Sequence, residues 1–137
     1  MARRISFPFE QRPSPIFGIV HRPMAVTELW SQKIQGWVQV AMLVDTGADY
    51  TLLPNIYASH LGVRLDHHCQ IFETMGIGGR ERVHLLQRWP MRLGIWMRQV
   101  PIGFLTRNDV PPLLGRQACL ETFKVTFFQH HTVFSLR

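Results

Sequence analysis

The sequence predicts a mainly β domain with one short α-helix near the C-terminus, on three observations. Most apolar runs have the length and alternation of strands rather than helical spacing. Gly and Pro punctuate them at short intervals. Only residues 116–123, which follow Gly115, read as a helix. The chain has 137 residues, 46% of them hydrophobic and 18% charged. That is one domain, able to bury about two-thirds of its unfolded surface. It is too apolar for a disordered chain. Charged or polar residues interrupt every apolar run well before the ~18 residues that a spanning helix needs, so no membrane partner is expected.

Residues 1–15 carry Pro8, Pro13 and Pro15 with three arginines, and read as an extended N-terminal arm. That leaves 16–137 as the single folded domain. Residues 16–20 and 24–30 are short apolar runs broken by Gly18 and Arg22-Pro23. Residues 37–44 begin in alternation and end in a continuous apolar run, as a strand entering a core does. Residues 80–89 and 96–105 read as two strands around the Leu93-Gly94 turn. After the helix, residues 124–128 form a strand, and the tail 132–136 pairs back on it through Gln129-His130-His131.

The net charge is +6, from 15 basic and 9 acidic residues. The arginines are scattered, and no aromatic-interleaved RNA signature or zinc-finger spacing accompanies them. A solvated basic surface is the simpler reading, and nucleic acid is not the expected partner. Cys69 and Cys119 sit in unrelated contexts, and no secretory pattern opens the chain, so reduced thiols and a cytoplasmic location are expected. His67-His68-Cys69, with His60 nearby, match no common zinc spacing, and the expectation is no metal and no cofactor.

The stretch that carries chemistry is Leu43-Val44-Asp45-Thr46-Gly47-Ala48-Asp49-Tyr50. An apolar strand runs directly into a carboxylate, a hydroxyl and a glycine. The strand end partly desolvates Asp45 and makes its protonation responsive to neighbouring groups. Gly47 removes a Cβ where a substrate or a partner chain must approach. An Asp-Thr-Gly alone is weak, since an Asx-type turn explains it equally well. Two further features stand beside it. One is the glycine-rich turn Gly76-Ile77-Gly78-Gly79 between strand-like runs. The other is Leu113-Leu114-Gly115-Arg116, leading into the predicted helix.

In this order the three features resemble the retropepsin-like aspartic proteases, single-domain relatives of retroviral proteases. The longer arm and tail look more like bacterial-type members than a viral enzyme, and the resemblance spans residues 16–128. It implies a closed, barrel-like β fold in which two subunits each supply one aspartate to one site. The composition agrees: the chain has four Asp and no second Asp-Thr-Gly or Asp-Ser-Gly. The resemblance makes Asp45, Thr46 and Gly47 the catalytic triplet of a homodimeric endopeptidase acting on peptide or protein substrates.

It also assigns Ala48, Asp49 and the flap residues Gly76, Ile77, Gly78 and Gly79 to substrate binding. Thr46 would bond across the dimer axis. Asp49 would contact peptide backbone and form a buried pair with Arg116. Leu113, Leu114, Gly115 and Arg116 would support the site. Members with Ser or Thr in place of Ala48 can donate a hydroxyl to the carboxylate; Ala48 cannot, so activity is expected to extend towards neutral pH. Gln117 departs from the usual Asp or Asn, and Tyr50 from a commonly small or acidic residue. Apolar residues expected near the cleft (Leu52, Ile77, Leu113) imply apolar subsites. The alternatives are a catalytically silent dimeric peptide-binding or regulatory domain of the same fold, and a small basic β-barrel binding nucleic acid.

Overall fold

The computed structural model describes residues 3–76 and 79–136. Strict alternation in the first core strand sets up a closed sheet. Strand β4 (Met24–Ser31) turns Ala25, Thr27, Leu29 and Ser31 inward and pairs antiparallel with β5 (Gly36–Val44), from Met24↔Leu43 to Ser31↔Gly36. Its two inward hydroxyls are satisfied: Thr27 Oγ1 donates to the Val40 carbonyl at 2.9 Å and Ser31 Oγ to the His60 carbonyl at 2.7 Å.

The sheet continues through β10 (Leu113–Leu114), β6 (Thr51–Leu53), β9 (Trp96–Leu105) and β8 (Gly79–Leu93). Strand β8 then returns to β4 at Glu28↔Arg92 and Leu29↔Met91, which closes the barrel. Closure needs β8 to change direction, and its register against β9 shifts between Leu86 and Trp89. Leu29, Met42, Leu53, Met91, Ile102, Phe104 and Leu114 fill the interior, all fully buried. The first part of β8 pairs with β7 (Gln70–Gly76), and the hairpin ends at Gly76↔Gly79. The flap positions Ile77 and Gly78 lie outside the described residues.

A second sheet orders the terminal strands β1 (Arg3–Pro8), β12 (His131–Leu136) and β11 (Lys124–Phe128), with β12 in the middle. Its turn places Gln129 and His130 at φ 48° and 58°, the left-handed pair of a tight hairpin that follows the strand twist. Buried Phe134 meets Phe7 edge-on at 6.1 Å and Phe123 at 5.3 Å, tying this sheet to the barrel.

Three features of the structure depart from the sequence-based reading. Residues 3–8 and 10–14 are paired strands rather than an unpaired arm, and the second of these, β2 (Glu10–Ser14), pairs with β3 (Gly18–Arg22) across position 15. Prolines are compatible with this because Pro8 ends a strand and Pro13 lies in a two-stranded hairpin. The predicted helix over 116–123 is a turn followed by one 3₁₀ turn, Leu120–Thr122. Ala118 at φ 54° breaks any α-helix there, and the Arg116 and Gln117 N–H groups are held by the Ala48 and Asp49 carbonyls. The α-helices lie elsewhere: α1 (Ile56–Leu61), ended by Gly62 at φ 71°, and α2 (Leu65–His68). His67 and His68 are therefore helical, and His68 Nδ1 accepts the Arg64 N–H at 3.0 Å.

Phe134→Ala should lower unfolding stability by about 3–5 kcal/mol, because it empties the joint between the terminal sheet and the barrel. Urea denaturation followed by tryptophan fluorescence checks this; a loss under about 1 kcal/mol would mean that the terminal sheet contributes little to the fold.

Candidate active site

Asp45 leaves the end of β5 and is fixed from two sides. Its N–H donates to the Leu114 carbonyl at 3.0 Å, and its carbonyl accepts the Ala48 N–H at 3.2 Å, closing a tight turn. Within that turn the Gly47 N–H donates to Asp45 Oδ1 at 2.9 Å, which orients the carboxylate. A Cβ on residue 47 would stand only 3.3 Å from the same oxygen, so glycine leaves that side of the acid open.

Leu113 and Leu114 hold this loop in place. β10 lies parallel to β5 (Leu113↔Leu43, Leu114↔Val44) and antiparallel to β6 (Leu113↔Leu52). Gly115 follows, with its N–H donating to the buried Thr51 Oγ1 at 3.2 Å. A Cβ at Gly115 would come within 2.2–2.3 Å of the Tyr50 carbonyl group, a contact no backbone adjustment of ordinary size relieves. Arg116 then returns to the loop twice: its N–H donates to the Ala48 carbonyl at 3.0 Å and its Nη2 to Asp49 Oδ1 at 2.7 Å. The Asp49–Arg116 pair forms as expected but is not buried; the Asp49 side chain is 79% exposed. In this single chain it orients Asp49 more than it stabilises the fold.

The Asp45 loop floors a cleft of about 460 Å³. Gly47, Ala48, Asp49 and Tyr50 line it with Leu52, Leu113, Leu105 and Val110, and Thr74, Met75, Gly79 and Glu81 of the β7–β8 hairpin form its other wall. Gly76 pairs with Gly79 at the described end of that hairpin. Thr46 is exposed in the turn beside Asp45. The Tyr50 ring fits because residue 103 is glycine, where a Cβ would lie 2.7 Å from it. Burial, and then the Asp49 charge, push the Tyr50 phenol up, so this lining residue is neutral.

The arrangement adds a charged group that the sequence motifs did not single out. Arg107, on the loop after β9, donates to Asp109 Oδ2 at 2.9 Å and lies 3.7 Å from Glu81 on the β7–β8 hairpin. The Arg107 hydrogen bond holds the Asp109 carboxyl below the usual carboxylate range. Glu81 and Asp109 thus share one guanidinium, and Asp49 has another. Asp45 is the one carboxylate lining the cleft, among the described residues, with no cation beside it. Cys119 is fully buried, with its thiol pushed up to about 12 by that burial, and is 4.0 Å from Met91 Sδ, so it serves the core rather than chemistry.

Comparison with known proteins agrees with this geometry. Residues 31–119 match a family model described as "gag-polyprotein putative aspartyl protease". The structure also resembles the crystal structure of a retropepsin-like aspartic protease from Rickettsia conorii, with a TM-score of 0.67 over 99% of this chain and 93% of that one. Sequence identity there is 17%, so the likeness speaks to fold. No curated protein sequence matches the chain.

Gly115→Ala should abolish or severely reduce folding, since the added methyl collides with backbone rather than with a movable side chain. Circular dichroism and the soluble yield test it; a folded variant with an unchanged melting temperature would show that the Tyr50 crossing is loose.

Proposed function

Because the chain belongs to the gag-polyprotein aspartyl protease family, we propose that it is a homodimeric aspartic endopeptidase whose site is built from the Asp45 residues of two copies. The observation that carries this is the Asp45 carboxylate. It is oriented by the Gly47 N–H and has no cation beside it, on the floor of an open cleft under a β-hairpin. Acid–base hydrolysis of an amide needs one carboxyl group that accepts a proton and one that donates. In the cleft Asp49 is paired with Arg116 and Glu81 with Arg107, which supports drawing the second group from another copy.

Two carboxylates at hydrogen-bond range cannot both be ionised, so the pair holds one proton between them. The ionised member takes a proton from a water as that water attacks the scissile carbonyl carbon. The protonated member gives its proton to the carbonyl oxygen, and a tetrahedral diol results. Collapse of the diol re-forms the carbonyl, breaks the C–N bond and passes a proton to the leaving amine. No enzyme-bound covalent intermediate forms. Thr46 is suited to bond across the two-fold axis, and the Gly47 carbonyl and Asp49 to hold peptide backbone. Closure of the β7–β8 hairpin would exclude water from the cleft. Leu52, Leu105, Val110 and Leu113 along the cleft favour apolar side chains on either side of the cut.

The test is cleavage mapping by mass spectrometry on a diverse peptide mixture between about pH 4 and 7.5, with Asp45→Asn in parallel. Wild type should cut beside apolar residues, and the variant should lose at least about 10³-fold in kcat/KM with its fold intact. A folded, dimeric wild type that cuts nothing would sink the enzyme and leave a peptide-binding domain. Ala48→Ser places a hydroxyl beside the carboxylate and should move the pH–rate profile towards acid; an unmoved profile would remove the role given to Ala48.

A further inference from the structure

The β2–β3 hairpin has no place in the barrel, and its position and surface call for an explanation. Strand β3 ends at Arg22, and only Pro23 separates it from β4. The Pro23 carbonyl accepts the Val44 N–H at 2.8 Å, and Met24 pairs with Leu43. The hairpin therefore leaves the barrel at the end where Asp45 sits. Five residue pairs give it a reach of about 17 Å.

Its base is seated and its tip is built. The His21 and His130 rings stack at 3.8 Å, the Phe9 N–H donates to the His130 carbonyl at 2.7 Å, and Phe9 meets Phe127 edge-on at 5.9 Å. At the tip Ser14 Oγ accepts the N–H groups of Ile16 and Phe17 at 3.3 and 3.1 Å, and Gly18 takes φ +76°. This turn leaves Ile16 81% and Phe17 75% exposed, with Ile19 also outward on β3. Phe127 and Phe128 are exposed beside the base. Ile16, Phe17 and Ile19 thus put large apolar side chains in water over the outer part of the hairpin, which marks an interaction surface.

We propose that residues 10–22 form a clasp that docks on a second copy of this chain and holds the two Asp45 loops together. The inference rests on the two-subunit reading above and names the surface that makes it. A second copy must stand at the Asp45 end of the barrel, and that is the end from which the hairpin leaves. The C-terminal strand β12 itself has no free edge, because β1 and β11 of its own chain flank it on both sides; the outer edges of β1 and β11 are the other surfaces a second copy could use. The tip is ordered by its own hydrogen bonds, so docking it immobilises little further chain.

Sedimentation velocity over a concentration series, on the full chain, tests this with three variants. Phe17→Asp should weaken the dimer by at least about tenfold, with unchanged circular dichroism, because the side chain touches little in the single chain. Ile34→Asp is the control: Ile34 is 61% exposed in the β4–β5 turn, at the opposite end of that hairpin from Asp45, and should leave the dimer intact. Asp45→Asn should also remain dimeric. A dimer indifferent to Phe17→Asp, a dimer weakened equally by Ile34→Asp, or a monomeric wild type would each overturn the clasp. A dimer that depends on Phe17 in a wild type that cuts no peptide would uphold the clasp and sink the proteolytic reading instead.

Discussion

The passage of Leu113-Leu114-Gly115 between β5 and β6 is the constraint on which the rest of the site depends. That short strand takes the Asp45 N–H on the Leu114 carbonyl, and so decides where the carboxylate stands. It can lie there because residue 115 has no side chain where the chain crosses Tyr50. The crossing also joins distant parts of the sequence: Arg116 reaches the Ala48 carbonyl and the Asp49 carboxylate, and the Gly115 N–H reaches Thr51. A loop held by backbone hydrogen bonds on both sides resists thermal displacement, so the position of its carboxylate is kept.

The barrel and the terminal sheet divide two tasks. The barrel buries the apolar faces of its strands and holds the cleft rigidly along β5, β6, β9 and β10. The β7–β8 hairpin projects from it with Ile71, Phe72 and Met75 exposed, and so contributes little to the core. Such a weakly packed element can move without loss of the fold. The Arg107–Glu81 approach is a point where the hairpin wall and the opposite wall of the cleft meet through charge, a contact that salt and distance both weaken.

Legibility in the sequence followed the range of the forces involved. The main strands were readable because burial of one face imposes alternation on neighbouring residues, as in β4. The Asp45 turn and the Leu-Leu-Gly-Arg stretch were readable because each is local. The arm was misjudged because its prolines outweighed the alternation of Ile5 and Phe7, which turn towards the core. The helix over 116–123 was misjudged because Ala118 takes φ 54°, a left-handed conformation that nothing in its local sequence signals. Helix α1 is too short for periodicity to reveal it. Glu81 and Arg107 carried no local signal at all; they meet only because β8 and the loop after β9 are neighbours in the fold.

By itself, then, the sequence determined a mostly β chain and one aspartate in a turn that a glycine keeps open. These follow from composition and from contacts between near neighbours. Tertiary structure alone decided that β8 closes the barrel, that the Asp49–Arg116 pair stays in water, that the terminal strands pair with each other, and that an apolar hairpin stands at the Asp45 end. Each of those depends on which distant backbone groups come within hydrogen-bond range, and no pattern along the chain encodes that distance.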